Sequence, residues 1–130
     1  MKNTLKYIGL LMVGLVLFSC YKDKLPEKKT DDVIIDVPEG VSFQTDIQPI
    51  FTQNCINCHK AGSTAPDLTS GVSYAAITSG GFVVASNADG SELYNRLNGV
   101  GGALMPTSGA LPADKIALVK QWINEGALNN

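Results

Sequence analysis

Glycine in the middle of the chain is the feature that most limits how this sequence can fold. The chain has 130 residues, 13 of them glycine, and most of the glycines lie between Gly62 and Gly109. Glycine favours turns, and it destabilises helices and strands because it loses more conformational freedom on folding than other residues. We therefore expect a domain with few regular elements that needs a disulfide, a metal or another hydrophobic centre for support.

The composition limits which kind of support, a disulfide, a metal or another hydrophobic centre, this domain can use. The length predicts one small domain, and an apolar fraction of 45% is sufficient for a globular core. The three cysteines, Cys20, Cys55 and Cys58, cannot build a disulfide framework. The formal net charge is -2, and no Lys/Arg cluster occurs outside the N-terminal third, so nucleic acid is not an expected partner.

The segment Cys55-Ile56-Asn57-Cys58-His59 has the Cys-x-x-Cys-His spacing of c-type haem attachment. Two thiols one short turn apart can each add to a vinyl group on one edge of a porphyrin, and the next residue then lies below the iron. The sequence therefore predicts one haem c per chain, bonded to Cys55 and Cys58, with His59 as a ligand of the iron.

Three other uses of the thiols remain open at this point. A zinc site needs two more Cys or His ligands, and His59 is the only histidine in the chain. A thioredoxin-like dithiol is expected in a strand and helix context, whereas Cys55 follows a predicted helix and precedes a Gly/Ser loop. The third alternative is a structural disulfide between Cys55 and Cys58.

Met105 is the predicted second ligand of the iron. It is the only methionine that remains after signal removal, and the single histidine excludes bis-histidine ligation within the chain. Its segment, Gly101 to Pro106, is typical of a loop rather than an apolar helical face, although a core methionine is the alternative. His/Met ligation raises the reduction potential relative to a site with two nitrogen ligands.

The first residues have the pattern of an export signal. Lys2 and Lys6 precede an apolar stretch from Tyr7 to Phe18, which is shorter than the roughly 20 residues that a membrane-spanning helix needs. We interpret residues 1–19 as a signal peptide, with a transmembrane helix as the alternative.

The end of that segment, Leu17-Phe18-Ser19-Cys20, resembles the lipobox of bacterial lipoproteins. The resemblance implies that Cys20 is lipidated and anchors the protein to a membrane of the bacterial cell envelope, facing the periplasm or the exterior. A secreted protein with a spare cysteine is the alternative. Residues 20–41 are rich in Lys, Asp, Glu and Pro and are predicted to be a flexible linker to a domain at residues 42–130.

The fold class predicted for this domain is all-α with long loops, because no segment alternates apolar and polar residues for long enough to indicate a sheet. Asp46 is expected to cap a helix from Ile47 to about Asn54. Three further helices are predicted, of which the first two are short: one capped by Ser73 that runs through Ile77, one capped by Ser91 that runs through Leu97, and one from about Ala113 to Glu125 that Gly126 ends.

Taken together, these residues give the chain a resemblance to the cytochrome c superfamily, and more closely to the planctomycete-type cytochrome c domain of exported bacterial proteins. The similarity covers roughly residues 43–127. The matching pieces are Cys55-x-x-Cys58-His59, Ala65-Pro66-Asp67-Leu68, Ser91-Glu92-Leu93-Tyr94, Met105-Pro106 and Trp122-Ile123-x-x-Gly126-Ala127.

The resemblance implies a small cytochrome c-like fold in which the Ile47 helix crosses the Trp122 helix beside the haem, with Met105 as the distal ligand. It leaves open whether certain side chains contact the haem propionates or belong to the surface or core, namely Arg96, Tyr74, Tyr94 and Trp122.

The function expected from these features is single-electron transfer between redox partner proteins through one haem with His/Met ligation. No second histidine, paired carboxylates or nucleophile motif stands out, so an enzyme is not expected. One alternative is a haem-binding redox or gas sensor or peroxidase-like module, in which Met105 leaves the iron. Another is a haem subunit of a larger oxidoreductase complex.

Overall fold

A computed structural model describes residues 35–130 of the chain. The predicted signal peptide, the predicted lipidation site Cys20 and most of the predicted linker lie outside these residues. Within the described range every regular element is helical and no strand occurs, which confirms the all-α class. The elements are a π-helical turn at Phe43–Ile47, α1 at Gln48–Asn54, α2 at Ser73–Ser79, α3 at Glu92–Leu97 and α4 at Ala113–Asn124.

The π-helical turn and α1 are continuous, and we call them the first helical segment. This segment begins one turn earlier than the sequence predicts. Ser42 is the N-cap, and its hydroxyl accepts a hydrogen bond from the Thr45 N–H at 3.4 Å. The prediction that Asp46 is the cap is wrong: its carboxylate instead accepts a hydrogen bond from the Ser42 N–H at 2.8 Å. The two bonds are reciprocal, as in a capping box, but the carboxylate lies four residues after Ser42 rather than three. The turn is wider than in an α-helix, because the Ile47 N–H bonds to the Ser42 carbonyl five residues back.

The two serines predicted to cap short helices bind elsewhere. Ser73 is the first residue of α2 rather than its cap, and its buried hydroxyl is hydrogen-bonded to the side-chain oxygen of Gln48. Ser91 does precede α3, which ends at Leu97 as predicted. Its hydroxyl, however, accepts a hydrogen bond from the Val84 N–H and makes no bond to the first turn of α3. The Ser73 hydroxyl therefore joins α2 to α1, and the Ser91 hydroxyl joins the residue before α3 to the preceding loop.

The last helix agrees closely with its prediction. α4 spans Ala113–Asn124, with Pro112 before its first residue and Glu125 after its last. Gly126 has a φ of 104°, a backbone conformation that favours glycine and ends the helix as predicted. Within residues 35–130 no helix is long and apolar enough to cross a membrane.

An aromatic cluster forms the centre of the core. The Phe43 ring lies 5.2 Å from the Trp122 ring and 5.2 Å from the Tyr74 ring, and 6.2 Å from the Phe51 ring. Trp122 is fully buried, and such aromatic pairs add to the free energy gained by burying apolar surface. The sequence resemblance predicts that a helix beginning at Ile47 crosses α4. In the structure the contact with α4 is made by the π-helical turn, through Phe43.

Residues after α4 bind the start of the first helical segment, and we call Glu125 and Asn130 the C-terminal cap. The main-chain oxygen of Asn130 accepts hydrogen bonds from the Gln44 N–H at 3.0 Å and the Ser42 hydroxyl at 2.8 Å. Its side-chain oxygen accepts one from the Phe43 N–H at 2.9 Å. These N–H groups have no partner within the helix, so the C-terminal cap satisfies them.

Glu125 extends the C-terminal cap toward the residues that precede Ser42. Its carboxylate accepts hydrogen bonds from the N–H groups of Gly40 and Val41, at 2.9 Å each. The hydrogen bond from the Gln121 amide, together with these two, lowers the pKa of Glu125. Val41 is buried, so the chain joins the core before the first helical turn begins.

Candidate functional site

A cavity of about 250 Å³ brings together the predicted site residues that lie in the described part of the chain. Cys55, Cys58 and His59 line it from the turn after α1. Met105 lines it from the glycine-rich loop between α3 and α4. The fold thus joins two segments that are far apart in the sequence.

The Cys55–His59 turn continues directly from the end of α1. The Cys55 N–H still bonds to the Phe51 carbonyl in the helical manner, at 2.8 Å. The Cys55 carbonyl then accepts hydrogen bonds from two N–H groups, that of Cys58 at 3.1 Å and that of His59 at 2.9 Å. One short turn therefore carries both thiols and the imidazole, which is the local geometry that the motif predicts.

The His59 imidazole is half-buried and lacks a partner on one nitrogen. Its Nδ1 is buried and makes no hydrogen bond to any residue in the range 35–130. A buried polar atom left unpaired costs about 1–3 kcal/mol. The main chain of His59 is satisfied in contrast, since its carbonyl accepts a hydrogen bond from the Leu68 N–H at 3.0 Å. The backbone of His59 is therefore held in place, while Nδ1 of its ring has no partner among the described residues.

Both cysteines of the turn are free thiols, and they differ in exposure. Cys58 is exposed, whereas Cys55 is half-buried, and this burial raises the pKa of Cys55 to about 11. A thioredoxin-like dithiol depends on a cysteine whose pKa is lowered, so the surroundings of Cys55 do not favour that alternative. Cys55 and Cys58 are not joined by a disulfide bond.

A zinc site takes four ligands from Cys, His and carboxylate side chains. Across residues 35–130, no group of three or more His, Cys, Asp or Glu side chains is placed to hold a metal ion.

The loop that carries Met105 is fastened to α3 by its backbone. The Met105 N–H donates a hydrogen bond of 2.9 Å to the carbonyl of Arg96, in the last turn of α3. Between them the chain reverses through Gly99 and Gly101, whose φ values of 69° and 70° are rarely adopted by other residues. Met105 itself is half-buried and lies outside the buried core.

The remaining walls of the cavity are mostly apolar, which suits a ligand with a large apolar body. Buried core side chains of α1 and α3 reach it, together with side chains from the loops. The apolar side chains concerned are Ile50, Phe51, Leu68, Phe82, Leu93, Leu97 and Leu111.

An acidic and a basic side chain, Glu92 and Arg96, line the cavity and form an ion pair. Arg96 Nε and Nη2 each donate a hydrogen bond of 3.1 Å to Glu92 Oε1. The sequence resemblance named Arg96 as a candidate contact but gave no role to Glu92. The spacing of four residues on a helix was the signal that could have identified the pair.

The other three candidates for a cofactor contact do not line the cavity. Tyr74 and Trp122 belong to the aromatic cluster: the Tyr74 hydroxyl donates to the Ala127 carbonyl, and Trp122 Nε1 donates to the Leu128 carbonyl, both at 2.9 Å. Tyr94 lies instead beneath the ammonium group of Lys120, 5.4 Å from its ring centroid.

Comparison of the chain with protein-family models, with curated proteins and with solved structures gave no match. The site is therefore interpreted from its own residues.

Proposed function

We propose that this protein is a c-type cytochrome that carries single electrons, with one haem bonded to Cys55 and Cys58 and its iron held by His59 and Met105. One observation carries the proposal. These four side chains, from two separate segments, line the same largely apolar cavity.

The residues present fit such a group. The unpaired Nδ1 of His59 marks an imidazole whose hydrogen-bonding capacity the described residues do not satisfy. The apolar walls suit the faces of a porphyrin, and the free thiols of Cys55 and Cys58 are available for thioether bonds. When bound, a haem supplies a metal centre that gains and loses one electron.

The chain's own residues favour electron transfer over ligand chemistry. If His59 and Met105 both hold the iron, no ligand position would be left for a gas or peroxide. Phe51, Leu68 and Leu97 are buried in the cavity wall and exclude water from it. Exclusion of water and a methionine ligand both act on the reduction potential of such a centre. Because Cys58 is exposed, its side of the cavity is where a partner protein would approach.

The proposal extends to the fold and the location. The contact between Phe43 and Trp122 joins the first helical segment to α4, and this supports a cytochrome c-like arrangement of the two. Export, lipidation at Cys20 and attachment to a membrane of the bacterial cell envelope rest on the sequence pattern alone.

The test is to express the full chain together with haem-attachment machinery. We expect one haem per chain that stays bound in acidified organic solvent, and its loss in the Cys55→Ala/Cys58→Ala double variant. Cys20→Ser is the matched cysteine control, which should keep the haem and lose the lipid. A colourless native protein, or a haem released by acidified solvent, would contradict the proposal.

Axial ligation is tested on the same material. The oxidised native protein should show a sulfur-to-iron charge-transfer band, and Met105→Ala should abolish it and lower the reduction potential. His59→Ala should disturb the spectrum of both oxidation states. An unchanged band in Met105→Ala would remove Met105 as a ligand, and rapid binding of carbon monoxide or cyanide to native protein would favour a sensor or peroxidase-like module instead.

A further inference from the structure

Arg96 touches the loop of residues 98–105, which we call the Met105 loop, at two places. Its carbonyl accepts the hydrogen bond from the Met105 N–H at 2.9 Å, at the end of the loop. Its guanidinium lies against Gly102, in the middle of the loop, so closely that a Cβ atom added at Gly102 would overlap Arg96 Nη1. The same residue therefore supports both the backbone of Met105 and the segment that leads to it.

Gly102 differs from the other glycines of this loop. Gly99 and Gly101 have positive φ values, and a Cβ added at Gly101 would meet nothing within 4 Å. Gly102 is not among the glycines with positive φ, so its backbone would accept alanine. A side chain at Gly102 would therefore displace the guanidinium rather than strain the turn.

The guanidinium is held from its other side by Glu92. The carboxylate accepts hydrogen bonds from Nε and Nη2, which leaves the Nη1 corner directed at Gly102. The pair lies at (i, i+4) on α3, and the Arg96 side chain is about one third exposed, at 34%. Glu92 thus favours the Arg96 rotamer in which the guanidinium lies beside the loop.

The loop has little else to hold it. Within the described part of the chain, the main-chain N–H groups of residues 101–104 have no hydrogen-bond partner. Gly99 and Val100 bond to α3 at the start of the loop, at 3.3 Å to the Arg96 carbonyl and 2.8 Å to the Asn95 carbonyl. Beyond Val100, the Met105 N–H bond is the backbone hydrogen bond that would remain between the loop and α3 without the guanidinium. A loop with fewer contacts spends a larger share of time in other conformations.

We propose that Arg96, held by Glu92 and seated against Gly102, is a positioning residue that keeps Met105 directed at the cavity. The inference rests on the proposed function, since it concerns Met105 as a ligand of the iron. The predicted consequence is that loss of the Arg96–Gly102 contact lowers the share of molecules in which Met105 is bound, and small ligands then compete for its place more easily.

The test measures the apparent dissociation constant of imidazole for the oxidised protein, together with the intensity of the charge-transfer band. Arg96→Ala removes the guanidinium, and Gly102→Ala displaces it without changing the charge. Each should tighten imidazole binding by roughly five- to tenfold and weaken the band, because Met105 competes less well. Lys120→Ala is the matched control: it removes a cation that does not line the cavity, and it should leave both readouts unchanged.

A double-mutant cycle shows whether the two residues act through one contact. In Arg96→Ala protein the space beside Gly102 is empty, so the additional change Gly102→Ala should have almost no further effect on imidazole binding. Effects of the two substitutions that add in full would overturn the inference. Far-UV circular dichroism of each variant identifies any loss of fold, and the double variant keeps the test valid if Gly102→Ala alone disrupts the chain.

The two proposals fail in different ways. If native protein binds haem covalently and Met105→Ala loses the band, while Arg96→Ala and Gly102→Ala behave like native protein, the positioning role is wrong and the proposed function stands. If native protein carries no covalent haem, the proposed function fails and the positioning role fails with it.

Discussion

The two ends of the first helical segment meet opposite surroundings. At its start, Phe43 is 1% exposed, touches Trp122, and has its N–H bound by Asn130. At its end, the helix leads into the turn of Cys55 to His59, where a thiol is exposed and a buried ring nitrogen has no partner in residues 35–130. At the first end the polar groups named here are paired, whereas at the second end one buried ring nitrogen is not.

The two ends therefore differ in what they contribute to this small domain. The aromatic end supplies apolar burial and hydrogen bonds, which stabilise the fold. The cavity end combines an unpaired imidazole with a loop that is held by few bonds. We therefore expect substitutions at the first end to change the free energy of unfolding, and substitutions at the second to change mainly what the site binds.

The largest effect is expected from Trp122→Ala. Trp122 is fully buried and packs on Phe43, so its truncation should lower the free energy of unfolding by about 3–5 kcal/mol. Denaturant unfolding at equilibrium measures the change. Leu128→Ala is the control, because Leu128 is 57% exposed and should contribute little. A loss below about 1 kcal/mol for Trp122→Ala would contradict the assignment of the core to this end.

Hydrogen exchange compares the two regions in a single molecule. Amides of residues 119–123, inside α4, should exchange at least about a hundredfold more slowly than those of residues 101–104, which make no hydrogen bonds in the described structure. Exchange followed by mass spectrometry or by NMR gives this ratio. Equal protection of the two segments would show that the Met105 loop is as firmly held as the core.

A smaller effect is expected from Asn130→Ala. The substitution removes the side-chain oxygen that accepts the Phe43 N–H, and loss of a helix cap costs about 1 kcal/mol. Thermal or denaturant unfolding detects the change. Asn129→Ala is the matched control, since the Asn129 side chain accepts only an exposed hydrogen bond from the Gln44 side chain. Similar losses for both variants would mean that the hydrogen bond to Phe43 is not what matters.

The smallest effect is a pH dependence of the aromatic end. Hydrogen bonds from Gln121, Gly40 and Val41 lower the pKa of Glu125 in the folded chain. A carboxyl whose pKa is lower folded than unfolded stabilises the protein above the unfolded value of about 4.3, and this contribution is lost as the pH falls through the folded value. Glu125→Gln should therefore reduce the loss of stability below about pH 4.

Asp67 is the comparison on the cavity side. The Thr69 hydroxyl and the Thr69 N–H donate hydrogen bonds to its carboxylate and lower its pKa. Asp67→Asn should therefore also reduce the loss of stability at acid pH. If neither substitution alters unfolding between about pH 2 and pH 5, the hydrogen bonds to these carboxylates do not contribute to acid stability.

The features that local sequence patterns define were predicted well. α4 has apolar residues at helical spacing between Pro112 and Gly126, and its bounds are within one residue of the prediction. The turn of Cys55 to His59 needs only its own five residues and the end of α1. Met105 was singled out by elimination, and the structure brings it to the same cavity as His59.

The features that distant residues define could not be predicted from the sequence. The start of the first helical segment depends on Asn130, which lies 88 residues from its partner Ser42. Ser73 was expected to cap its helix, but its hydroxyl finds Gln48, 25 residues away. The contact of Arg96 with Gly102 depends on how the loop folds back, and no local pattern encodes that space. For Ser73, the local preference to cap a helix loses to a tertiary partner.

The C-terminal cap also has a mechanical consequence. Because Glu125 and Asn130 bind residues 40–44, the chain enters and leaves the described domain at one patch, beside the aromatic cluster. Tension applied through the residues before Gly40 is borne first by the Glu125 hydrogen bonds, whereas the Cys55–His59 turn is reached only through the length of α1. A label or surface attachment joined before residue 40 would therefore load that patch before it loads the cavity.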